Sequence, residues 1–144
     1  MRAALRLSSN RAAVRHFLTA GTGSILNMGS VLAQAPSPEH FSTHAYAAAK
    51  AAIVGMTKSC AAYYANKNIR FNVIAPGLVE TPMAQRAVND ATIREFVSRK
   101  QQLDGGRVGR AEDLDAAAVF FLSDGAKFVT GQVLCVDGGW SVSG

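Results

Sequence analysis

The chain has 144 residues, 49% of them hydrophobic and 17% charged, with a formal net charge of +5. That length fits one domain, residues 1–144, able to bury roughly two-thirds of its unfolded surface. No apolar run approaches the roughly 20 residues of a bilayer span, and the basic residues are spread rather than blocked, so no membrane and no nucleic acid is expected as a partner.

Residues 1–38 contain no Asp or Glu but carry Arg2, Arg6, Arg11 and Arg15. An acid-poor, Arg-rich start also reads as a mitochondrial targeting segment. An ordinary helix over 11–19 is preferred, because Ala12, Ala13, Phe17 and Leu18 offer an apolar stripe and a strand pattern follows directly. Gly21-Thr22-Gly23 breaks that helix, and residues 24–28 (Ser-Ile-Leu-Asn-Met) read as a short buried strand ended by Gly29-Ser30. The stretch 33–43, with Pro36 and Pro38, reads as a loop. Residues 45–66 form a long Ala-rich helix with Ile53, Met56, Cys60 and Tyr63 or Tyr64 on one side. A second strand covers 69–75 and stops at Pro76-Gly77. Residues 89–100 predict a polar, mobile helix. Another helix spans 112–122, with acids in its first turn as the helix dipole favours. The third strand, 132–136, ends at Asp137-Gly138-Gly139.

Strands alternating with helices predict an α/β fold, a parallel sheet with right-handed crossovers. In such sheets sites form beyond the carboxyl ends of the strands. Ser30, Pro76-Gly77 and Gly138 fall at those ends, and Tyr46 and Lys50 lie in the first turns of a following helix. The spacing of Tyr46 and Lys50 puts both on one helical face. A phenol is a poor acid-base group at neutral pH, and a fixed cation beside it favours the phenolate, so the pair can serve proton transfer. Cys60 and Cys135 have neither metal-site nor CxxC spacing and read as two buried free thiols of a cytosolic protein. His40 and His44 share i, i+4 spacing, yet they sit in a Pro-containing loop without a third ligand, and no metal is assigned. A Ser-His-Asp hydrolase would need a Gly-x-Ser-x-Gly elbow, which Asn27-Met28-Gly29-Ser30-Val31 does not supply.

Four ordered motifs are Ser24-Ile-Leu-Asn-Met-Gly-Ser30, Tyr46-x-x-x-Lys50, Asn72-Val-Ile-Ala-Pro76-Gly77-Leu-Val79-Glu-Thr81 and Thr130-Gly-Gln-Val-Leu-Cys-Val-Asp-Gly-Gly139. With them the chain, from Gly21 to Gly144, resembles the carboxyl-terminal half to two-thirds of a short-chain dehydrogenase/reductase. The resemblance implies a Rossmann-like fold and an NAD- or NADP-dependent interconversion of an alcohol and a carbonyl. Tyr46 would be the general acid in reduction and the base in oxidation. Lys50 would support it and hold the nicotinamide ribose. Ser30 would donate a hydrogen bond to the substrate oxygen. Pro76, Gly77, Val79 and Thr81 would wrap the nicotinamide, Thr81 doubling as a helix N-cap before Pro82. Asn72 and Asp137 read as structural. An anionic dinucleotide would also suit the surplus positive charge. A cytoplasmic homo-oligomer is implied, with the faces around Ala12-Ala13 and Ala51-Ala52 against a second copy.

The sequence departs from the family pattern at its amino-terminal side. The Gly-rich pyrophosphate loop, the Asn-Asn-Ala-Gly segment and the residue that selects NAD or NADP have no counterpart. Asn10 lies too close to Ser30 to be the family's catalytic Asn, and the interval from Ser30 to Tyr46 is longer than usual. The first strand is expected to expose an edge, and the chain as written is expected to bind cofactor weakly or not at all. Two readings stand: an oxidoreductase whose full chain is longer, or a truncated, non-catalytic relative kept as an interaction or assembly piece.

Overall fold

The computed structural model describes residues 2–41 and 43–143, with side chains from Ser9 onward. Met1, Ser42, Gly144 and the side chains of Arg2 and Arg6 lie outside the described residues. In chain order the elements are α1 (Arg2–Ala20), β1 (Gly23–Met28), α2 (His44–Tyr64), β2 (Ile69–Pro76), α3 (Gln85–Asn89), α4 (Ala91–Lys100), α5 (Asp115–Leu122) and β3 (Val133–Val136), with short 3-10 turns between several of them.

The three strands form one parallel sheet in the order β1-β2-β3. Its register pairs Met28 with Ile74 and Pro76 with Val136, so all three carboxyl ends fall on one edge. β2 is central and buried on both faces, as parallel strands are. Strand alternation then sorts its side chains. Ile69 and Phe71, with Ile25, meet Val14 and Ala61 under α1 and α2. Ile74, with Leu26 and Met28, meets Phe121 and Ala126 under α5. Cys60 packs at the rim of the first core, where partial burial pushes its thiol pKa up; Cys60 and Cys135 are both free, and both are half-buried rather than buried.

Asn72 is fully buried, and its amide replaces backbone partners at the entry to β3. It donates to the Val129 carbonyl at 3.0 Å and accepts from the Gln132 N–H at 3.0 Å. Asp137 likewise serves its turn, accepting from the N–H groups of Gly139 (3.0 Å) and Ser141 (2.9 Å).

Several local expectations change. Helix α1 begins earlier than residue 11, and Ala13, Val14 and Phe17 face the core while Ala12 and Leu18 are exposed. On α2 the fully inward line is Ile53, Thr57 and Ala61; Tyr63 points to solvent and Tyr64 stacks on Phe71. The helix expected over 89–100 starts at Ala91, because the Asp90 carboxylate caps it by accepting from the Thr92 and Ile93 N–H groups at 2.9 and 3.2 Å. It is not polar all round. Ile93, Phe96 and Val97 are buried and form a third core with Val31 and Trp140, just beyond the carboxyl ends of the strands.

Candidate active site

α2 begins at His44, so Tyr46 and Lys50 occupy its first two turns, stacked along one face. The Lys50 ammonium lies 5.5 Å from the centroid of the Tyr46 ring. It also donates to the Met28 carbonyl at 3.0 Å, the last residue of β1. That bond ties the amino end of α2 to the carboxyl end of the strand. The Tyr46 ring stays 40% exposed, which leaves it open to a bound molecule.

A second tie fixes the same helix deeper down. Asn27 is buried on β1 and donates to the Thr57 hydroxyl at 3.0 Å; Thr57 donates in turn to the Ile53 carbonyl at 2.7 Å. Two buried polar side chains are thus satisfied only if α2 sits at one height along β1. This tie was missed in the sequence, where a single Asn inside an apolar strand run was its one visible sign.

Ser30 lies two residues beyond β1. Pairing continues past the strand end, since the Gly29 N–H donates to the Ile74 carbonyl at 2.7 Å. Ser30 is buried, and its Oγ caps a 3-10 turn over Val31–Ala33 by accepting from the Leu32 N–H at 3.3 Å. That bond uses a lone pair and leaves the hydroxyl proton for another acceptor. Direct contacts therefore join Tyr46, Lys50 and Met28, and the chain itself brings Ser30 to the same strand end.

At the neighbouring strand end, residues 77–81 leave β2 but keep partners. The Gly77 N–H donates to the Val136 carbonyl at 3.2 Å, and the Glu80 N–H to the Gly109 carbonyl at 2.8 Å. Val79 forms a parallel bridge with Gly109. Thr81 is not the N-cap of a helix. It opens a turn in which its carbonyl accepts from the Ala84 N–H at 2.9 Å, and α3 starts after Ala84. Its side chain is thereby released from a capping role.

The loop between Ser30 and Tyr46 folds down rather than away. The Trp140 indole N–H donates to the Ala35 carbonyl at 3.2 Å, and Phe41 packs against Phe96 and Trp140. His40 sets its ring edge-on to Phe96 at 5.4 Å. Among the described residues no three His, Cys, Asp or Glu side chains gather as a metal site. No helix there is long and apolar enough to cross a membrane.

A family profile described as enoyl-(acyl carrier protein) reductase matches residues 6–141. The 3-oxoacyl-(acyl-carrier-protein) reductase of Chlamydia trachomatis is 41% identical over 128 residues, covering 89% of this chain and 49% of that protein. Gluconate 5-dehydrogenase from Burkholderia cenocepacia, solved with NADP and tartrate, superposes with a TM-score of 0.84 at 35% identity, over 93% of this chain and 51% of that one. A 4-hydroxyisoleucine dehydrogenase solved with NADH gives a TM-score of 0.85 at 30% identity, over 98% of this chain and 56% of that one. The chain spans about half the length of the curated relatives it matches. With the match running nearly end to end and the strand-end motifs assembled on one sheet edge, the chain belongs to the short-chain dehydrogenase/reductase family.

Proposed function

We propose that this chain carries the proton-transfer half of an NAD- or NADP-dependent oxidoreductase that interconverts an alcohol and a carbonyl compound. The observation that carries the reading is the Lys50 ammonium held between the Met28 carbonyl and the Tyr46 ring, with the phenol open to solvent. The donor set suits a nicotinamide ribose: an ammonium and a phenol on one helical face, beside the segment 77–81 that runs on from the end of β2. When bound, a nicotinamide exchanges a hydride with the substrate carbon.

The rest is proton management by this chain. In reduction the Tyr46 hydroxyl donates its proton to the substrate oxygen, and in oxidation the phenolate takes it back. The Lys50 charge stabilises the phenolate while it exists, and its ammonium holds the ribose hydroxyls. The Ser30 hydroxyl donates to the same substrate oxygen, where negative charge gathers. Val79 and Thr81 hold the nicotinamide carboxamide, with Pro76 and Gly77 shaping the approach. Both NADP- and NADH-bound relatives superpose on the chain, so either cofactor is compatible with this half of the site.

The working form is proposed to be a cytoplasmic homo-oligomer. The small exposed residues Ala12, Ala51 and Ala52 support packing of α1 and α2 against a second copy. A second reading, a non-catalytic interaction or assembly piece, is favoured by one observation: β1 pairs only with β2 among the described residues, leaving its outer edge open. Intact mass of the native protein separates the two readings. About 25 kDa or more supports the enzyme, and 15.2 kDa, the mass of these residues, supports the interaction piece. In the enzyme, Tyr46→Phe is expected to lower kcat at least about 100-fold with NADH or NADPH and a carbonyl panel, the scale of a lost general acid. A Tyr46→Phe enzyme with unchanged kcat would remove Tyr46 from the mechanism.

A further inference from the structure

Residue 101 is a glutamine 3% exposed at the carboxyl end of α4. A buried amide is costly unless its hydrogen-bonding groups are met. Here they are met by the backbone of a single neighbour and one loop. Its Oε1 accepts from the Leu78 N–H at 2.5 Å, and its Nε2 donates to the Leu78 carbonyl at 3.2 Å and to the Arg107 carbonyl at 3.4 Å. The side chain therefore treats Leu78 as an adjacent strand would, engaging both its donor and its acceptor.

The position of this contact matters. After Gly77 the chain leaving the central strand has no further partner in the sheet. Gly77 is still held by Val136, and Glu80 is already held by Gly109. Leu78 lies between those two anchors: its carbonyl also accepts from the Gly109 N–H at 2.9 Å, and the Gln101 amide meets its N–H. The surroundings are cut to admit it. A Cβ on Gly77 would sit 2.5 Å from Gln101 Oε1, and one on Gly138 would sit 3.0 Å from the Gln101 Cβ. Gly138 also has φ +62, a conformation glycine adopts without strain.

Gln101 is equally fixed from behind. Its own N–H donates to the Val97 carbonyl at 2.7 Å, and Val97 is packed with Val31, the residue after Ser30. One helix therefore touches both strand ends: its apolar face meets the turn that follows Ser30, and its last side chain grips residue 78.

We propose that Gln101 is a positioning residue that couples α4 to residues 76–81, holding the backbone that presents Val79 and Thr81 and keeping it in register with the Ser30 turn. The functional half of this statement rests on the oxidoreductase reading above; the clamp itself does not. Gln101→Met keeps the length of the side chain and removes all three bonds. Site-resolved amide hydrogen exchange on the native protein is expected to show residues 78–81 exchanging about tenfold faster or more in the variant, the scale of one lost net hydrogen bond. Residues 69–75 in the same strand are expected to change far less. An equal acceleration along 69–81, or none at 78–81, would overturn the clamp. Should the variant not fold, the native protein decides alone: a Leu78 amide exchanging as fast as an unprotected one refutes the proposal, and a protected one supports it.

Titration with NADH and with NADPH, followed by nucleotide fluorescence, tests the link to function. Positioning predicts a Kd about tenfold weaker in Gln101→Met, and added nucleotide restoring protection at 78–81. Unchanged affinity together with faster local exchange would reduce Gln101 to a structural prop and overturn the positioning role. Native protein that binds neither nucleotide contradicts the oxidoreductase reading instead, and the exchange data still decide the clamp.

Discussion

α2 and α4 both deliver side chains to the carboxyl edge of the sheet, and they are secured differently. α2 lies on the sheet itself, over Ile69 and Phe71, and its polar ties run from helix to strand: Asn27 to Thr57 and Lys50 to Met28. α4 stands beyond the strand ends. It is held by a separate core around Phe96 and Trp140, by the Gln101 amide, and by a loop whose ion pairs are solvent-accessible. A group that must hold one geometry sits on the first kind of support, since regular elements fix side chains better than loops. A segment that must close around a ligand suits the second kind, where local opening costs less than global unfolding.

The comparison breaks most sharply at Phe71. This fully buried ring on β2 packs under Ala61 and stacks with Tyr64 at a centroid distance of 5.8 Å. Phe71→Ala is expected to cost about 3–5 kcal/mol, read as a fall in the urea midpoint with an unchanged slope. It should loosen α1 and α2 together. A loss below about 1 kcal/mol would show that this core collapses to fill the void and that α2 does not depend on it.

Thr57→Val sharpens the comparison within the α2 support. The shape is nearly kept, but the Asn27 amide loses its acceptor in a buried place. Leaving such a donor unmet costs about 1–3 kcal/mol. Asn27→Ala in the same background should then cost little more, because the two groups act as one unit. Additive losses in that cycle would mean the contact at 3.0 Å carries no coupling.

These two supports also differ in how far the sequence revealed them. The alternation of strands and helices, the apolar runs at β1 and β2, and the spacing of Tyr46 and Lys50 are local patterns, and each has the placement they imply. The turn role of Asp137 was legible because a short polar side chain at a strand end bonds nearby backbone; Asn72 read only as structural, since its partners at Val129 and Gln132 are distant in sequence. The α4 side was not. Residues 91–100 read as polar because only Ile93, Phe96 and Val97 turn inward, and their partners Val31 and Trp140 lie far away in sequence. Thr81 looked like a cap because Pro follows it, yet the backbone makes a turn first. Gln101 gave no sign at all, since its three partners are main-chain groups, which have no residue identity. Tertiary contacts to backbone leave the weakest trace in a single sequence.

The smallest expected effect lies in the loop that braces α4. Arg107 bonds both oxygens of Asp113 at 2.7 and 2.9 Å and reaches Asp104 through Nε. Asp113 also accepts from the Arg110 N–H at 2.7 Å. The Arg107 hydrogen bonds, and then the Arg110 N–H, hold the Asp113 carboxyl well below the ordinary carboxylate range. A depressed carboxylate contributes stability that is full above its unfolded pKa and is lost as the pH falls towards its folded one. The loss should therefore develop only below the ordinary value of 3.8. Exposure and salt screening keep it small. Asp113→Asn is expected to flatten the fall in Tm below that value, as a depressed carboxylate would, and to do so less in high salt. Part of that fall should survive, because Asp90, bonded by the Thr92 hydroxyl and the Ile93 N–H, is shifted in the same direction. An acid limb of the same depth in the variant would mean that the Arg107 pair braces the loop without stabilising the fold. In that case α4 would depend chiefly on its apolar core and on Gln101.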